Sequence, residues 1–149
     1  MTAANTQHVE HINECTLESV IDLIRDADKP MVFKGLCHHW PLVQAGLESA
    51  QSAMTYLRQF YQGMPVTAYY VPPEQHGRVF YNEQLDGFNY QAGRLDFNQL
   101  LDRLSQEMIK DMPAGMYMGS TDIHQCLPGL GAQNSLDLAP MQPLTSIWL

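Results

Sequence analysis

Phe97, Leu100, Leu101, Leu104 and Met108 recur at spacings of +3, +4, +7 and +11. That is the period of a helix with one buried face. Asp96 and Gln99 resemble a capping box at its start, and Asp111-Met112-Pro113 closes it. A helix of this kind needs a partner for its apolar stripe. The flanking segments 64–71 and 115–120 are rich in Val, Thr, Tyr and Met and read as strands. A helix lying against strands is therefore the central expectation.

The rest of the chain agrees with an α+β class. Leu17, Val20, Ile21 and Ile24 share one helical face over about 16–27, with Thr16 as N-cap and Glu18 in the first turn. Asp28-Lys29-Pro30 ends that helix. Residues 31–35 read as a short buried strand, and Trp40-Pro41 as a break. A second helix is predicted over 48–61, stopped by Gly63. Residues 78–82 and 88–91 form hairpin arms around Leu85-Asp86-Gly87, with Asp-Gly as the turn. Residues 127–143 read as an irregular, proline-containing loop. Residues 1–15 are polar and read as a flexible N-terminal tail, leaving 16–149 as the structured part. Ser146-Ile147-Trp148-Leu149 has strand composition with no polar tail after it. This predicts that the chain is the front portion of a larger protein.

Composition narrows the function classes. Eight Lys+Arg stand against sixteen Asp+Glu, for a formal charge of −8. A polyanion is repelled by such a surface, so nucleic acid and anionic membrane are excluded as partners. No apolar run approaches a membrane span, and the N-terminus lacks the pattern of a signal peptide. Cys15, Cys37 and Cys126 are odd in number and far apart, which predicts reduced thiols in a cytoplasmic protein.

The chemistry-bearing residues are scattered. His8-x-Glu10 is formally part of a two-His-one-carboxylate set, but it sits in the polar tail. His38 and His39 are adjacent, so their side chains diverge. His76 lies beside Gly77 in a turn. His124 and Cys126 are spaced for zinc but have no further ligands nearby. A Cys–His nucleophile pair has no local signature, and there is no phosphate-binding glycine loop. No catalytic or metal-ligating residue is assigned.

Four segments, taken in order, resemble the N-terminal region of the cupin-like, JmjC-type oxygenases. They are Pro30-Met31-Val32-Phe33-Lys34-Gly35-Leu36 with Trp40-Pro41; Val79-Phe80-Tyr81-Asn82-Glu83 with Gly87-Phe88-Asn89-Tyr90; the run from Phe97 to Leu104 leading to Met116-Tyr117-Met118; and Leu127-Pro128-Gly129-Leu130 with Leu136-Asp137-Leu138 and Ser146-Ile147-Trp148-Leu149. The resemblance spans about 16–149. It implies a double-stranded β-helix, here with the barrel incomplete. Complete relatives look like Fe(II)- and 2-oxoglutarate-dependent hydroxylases, and the resemblance implies a protein side chain as the substrate. Their H-x-D/E…H iron ligands begin after the strand that 146–149 resembles, so neither cofactor is expected on this chain alone.

The resemblance carries over one residue. Tyr117 matches a tyrosine that faces the co-substrate in such hydroxylases. The competing reading of Tyr117 is a buried strand tyrosine with a satisfied hydroxyl. The expected alternative to an inactive oxygenase portion is an interaction module. It would form a homo-oligomer or pair with a complementing C-terminal half through unpaired strands.

Overall fold

The computed structural model describes residues 8–13 and 15–137. The expected strand at 146–149 lies outside the described residues. The fold is α+β, with two small sheets and, among the described residues, no closed barrel. In chain order the elements are β1 (Glu10–Ile12), α1 (Leu17–Arg25), β2 (Met31–Phe33), α2 (Pro41–Glu48), α3 (Ala50–Arg58), β3 (Val66–Val71), β4 (Gln91–Leu95), α4 (Phe97–Glu107), β5 (Gly115–Met118), α5 (Ile123–Cys126) and α6 (Leu130–Gln133).

The core forms where α4 meets the three-stranded sheet, whose order is β4-β3-β5 and whose strands are antiparallel. Strand side chains alternate between faces. Val66 and Ala68 of β3 turn toward α4 and cluster with Phe97, Leu100 and Leu101. Cys126, Leu127 and Leu130 close the same cluster from α5, α6 and the turn between them. Residues 127–143, expected as an irregular loop, thus begin with core residues and a short helix. Four-residue helices are too short to show a period, so only packing reveals them.

Other differences from the expected elements have local causes. Trp40-Pro41 starts a helix instead of breaking the chain, because proline's missing N–H costs nothing at the first helical position. Trp40 has no side-chain acceptor to cap α2. Asn134 does this from 92 residues away, its Oδ1 accepting from the Leu42 N–H at 2.9 Å. The single helix expected over 48–61 is two helices that meet at Ser49, whose backbone is extended. Ser49 ends α2 and caps α3, its Oγ accepting from the Ser52 N–H. Glu10–Ile12 lies in the stretch expected to be a tail, yet it pairs in parallel with β2. Backbone pairing needs no apolar side chains, so polarity did not reveal it. β2 is not a buried strand: Val32 is exposed.

Both ends of α4 are held by carboxylates. Asp96 Oδ1 accepts from the Gln99 N–H, and Asp96 Oδ2 accepts from the Tyr61 hydroxyl. At the other end Glu107 accepts from Lys110 Nζ and from the Ala114 N–H. The backbone bond from Gln99 holds the Asp96 carboxyl below its usual range, and Lys110 does the same for Glu107. A carboxyl with a depressed folded-state pKa stabilises the fold above its unfolded pKa. That contribution disappears as the pH falls through the folded value. The unfolding free energy should therefore hold steady from neutral pH downward and fall below about pH 4. Asp96→Asn keeps the cap acceptor and removes the charge. Urea midpoints measured against pH should show a shallower acid decline for this variant. An unchanged slope would mean that Asp96 does not contribute.

Candidate functional site: an open aromatic sheet face

The second face of the β4-β3-β5 sheet, opposite α4, carries aromatic rings. Tyr69 of β3 lies directly opposite Tyr117 of β5, so both rings stand on this face. Their centroids are 5.8 Å apart. Tyr69 also meets Tyr90 edge-on at 5.5 Å. From Tyr90 the row continues through Phe88 at 4.9 Å, Tyr81 at 5.5 Å and Phe80 at 5.6 Å. The rings run across the strands, from β5 past β4 and out over the hairpin. Phe80, Tyr81, Phe88 and Tyr117 are 62%, 53%, 57% and 61% exposed.

The hairpin shows why its rings are on display. It is held by asparagines. The Asn82 N–H donates to the Gly87 carbonyl, and Asn82 Oδ1 accepts from the Asp86 N–H. Asn89 Oδ1 accepts from the Phe80 N–H, while Asn89 Nδ2 donates to the Arg78 carbonyl and to Gln75 Oε1. Tyr81 and Phe88 form one antiparallel bridge, which accounts for their stacked rings. The hairpin arms are where the sequence puts them, but the turn differs. Leu85, not the Asp-Gly pair, takes the left-handed conformation at φ +60°. At Gly87 a Cβ would stand 3.2 Å from Asn82 Nδ2, so the Asn82 amide would have to shift slightly to admit a side chain.

Toward the other end, the face becomes polar. A cavity of about 270 Å³ is lined by Thr67, Arg94, Ser120, Thr121, Asp122 and Gln125, among others. Arg94 is anchored there, donating to the Pro65 carbonyl. The open face thus joins a row of rings to a hydrogen-bonding pocket that contains one cation.

Tyr117 sits where the rings begin, and its exposure overturns the reading of a buried strand tyrosine. The histidines are not brought together. All six are exposed: His8 and His11 lie at β1, His38 and His39 in one turn, and His76 and His124 each elsewhere. His76 takes a left-handed conformation at φ 49°. Cys126 is 0% exposed while His124 is exposed, so this pair does not form a zinc site. Burial pushes the Cys126 and Cys37 thiols up, away from the thiolate that a nucleophile needs. Among the described residues, no three His, Cys, Asp or Glu side chains gather where they could hold a metal. The ring face offers phenols and phenyls where iron needs imidazoles and a carboxylate. The described residues therefore do not fit an iron centre. No described helix is long and apolar enough to cross a membrane.

The family model described as a cupin-like domain matches residues 19–149. The chain belongs to the cupin-like domain family. The match bears out the cupin-like part of the resemblance, two of whose four parts are the FYN and GFNY segments. Within this cupin-like chain those segments are the asparagine-pinned hairpin that displays the rings. No curated protein matches the chain. The row of rings was not anticipated from the sequence. Aromatics in alternating segments look like core, and the signal that could have separated them was the asparagine in each arm.

Proposed function

We propose that this cupin-like chain is the N-terminal portion of a JmjC-type, Fe(II)- and 2-oxoglutarate-dependent hydroxylase unit, inactive by itself. The observation that carries this reading is the open sheet face with Tyr69 and Tyr117 at its centre. In a double-stranded β-helix two sheets face one another, and side chains on the inner faces pack between them. Here one face is packed by α4 and the other presents rings and a polar pocket to solvent. That is the form of a barrel wall awaiting its second sheet. Tyr117 would then face the co-substrate chamber, and the iron ligands would come from strands that cover this face. The substrate of the assembled unit is proposed to be a protein side chain.

Anaerobic calorimetry of the isolated chain with Fe(II) and N-oxalylglycine tests the claim. The expected result is no saturable binding of the pair. Micromolar binding by this chain alone would overturn it, since it would require a complete metal site here.

A second reading is favoured by the sheet edges. Among the described residues β4 and β5 each lack a strand partner on the outer side, and unpaired edges invite another strand. On this reading the chain is a non-enzymatic module that self-associates or captures a separate C-terminal half. Light scattering showing a monomer at all concentrations would count against self-association.

A further inference from the structure

The outer end of the ring row has a chemistry of its own, independent of whether an oxygenase is assembled. We infer that the hairpin and its ring row form a docking strip for an extended, arginine-bearing peptide of a partner protein. Three hairpin rings more than half exposed, Phe80, Tyr81 and Phe88, leave on the order of 300 Å² of aromatic surface uncovered. That falls within the size of the largest patch on an ordinary monomer, a patch that is commonly functional. The strip is pre-formed. Asn82 and Asn89 pin the backbone, and stacking at 21° between Tyr81 and Phe88 and between Phe88 and Tyr90 sets the ring faces. Little ordering remains to be done when a ligand arrives.

Charge selects the occupant. Residues 78–90 contain Glu83 and Asp86 against one cation, Arg78 at the hairpin base, on a chain of net charge −8. A second copy would bring −8 against −8. A nucleic acid would stack on the rings but be repelled by the chain. A guanidinium is attracted to both features: it stacks on ring faces and pairs with carboxylates. A compact ammonium stacks less well, so arginine is favoured over lysine.

The test is fluorescence anisotropy of labelled peptides of alternating glycine with arginine, lysine, glutamine or glutamate, titrated with the full chain. Arginine peptide is expected to bind tightest, lysine several-fold weaker, and glutamine about tenfold weaker or more. Glutamate peptide is expected not to bind. Phe88→Ala and Tyr81→Ala should each weaken the arginine peptide about tenfold. Ile109→Ala, which removes an 87% exposed side chain outside the row, should leave binding unchanged. Far-UV circular dichroism checks that the ring variants are folded, as expected for side chains more than half exposed. Three results would overturn the inference. Equal binding of glutamine and arginine peptides would remove the role of charge. Arginine binding that survives both ring variants would reduce the interaction to bulk electrostatics. A wild-type dimer that Phe88→Ala dissociates would make a second copy the occupant.

Discussion

Leu100→Ala is expected to lower the unfolding free energy by about 2–5 kcal/mol. Leu100 is 2% exposed and lies at the centre of the cluster built by Val66, Ala68, Phe97 and Leu127. Removing three side-chain carbons deletes their transfer free energy and leaves a cavity. The surroundings are poorly placed to collapse into it, because α4 is tied at both ends by Asp96 and Glu107. Native stabilities of about 5–15 kcal/mol make this loss a large fraction of the total. Urea denaturation should show a lower midpoint with an unchanged slope. Ile109→Ala, at 87% exposure just beyond the same helix, should stay within about 0.5 kcal/mol of wild type. A Leu100→Ala loss below about 1 kcal/mol would mean that the α4–sheet contact is not the organising core.

Gly119→Ala is expected to cost about 1–3 kcal/mol and to disturb the ring row. A Cβ at Gly119 would stand 2.6 Å from Tyr69 Cε2 and 3.3 Å from its hydroxyl. Gly119 follows β5, and its N–H donates to the Thr67 carbonyl at 3.0 Å, so the backbone is not free to retreat. The phenol is the far end of a side chain and is what must move. Tyr69 is also the ring that joins Tyr117 to Tyr90, so its displacement breaks the row at its middle. Two measurements separate the effects. Chemical denaturation reads the overpacking cost, and near-UV circular dichroism reads the loss of fixed tyrosine environments. Wild-type values in both would show that the face tolerates a methyl group there and that the close approach is not a constraint.

These two positions also show what kind of signal each part of the protein carries. Leu100 announces itself: a period of 3.6 residues over three turns, opened by Asp96, has one physical explanation. The same holds for β3, where alternation and the Pro72-Pro73 stop leave little choice, and for Thr16 as the cap of α1. Gly119 announces nothing, because its neighbour Tyr69 is fifty positions away. The junction at Ser49 is equally silent, since one extended residue divides α2 from α3 without altering the pattern of side chains. Asn134 capping α2 across 92 residues is a contact that no local window contains. The cupin-like membership was legible in the order of the PMVFKGL, FYN and GFNY segments, none of which is specific alone.

The candidate site divides along the same line. The sequence by itself determined a helix-on-sheet core, a net charge of −8, and Tyr117 on a strand following the amphipathic helix. Local propensity and periodicity act within a few residues, and these features are local or summed over the chain. Only the tertiary structure decided that Tyr117 is exposed, and that six aromatic rings from two strands and a hairpin make one open row instead of a core. Side-chain alternation says that a strand has two faces. Which face α4 covers, and which is left to water, is set by packing across the whole chain.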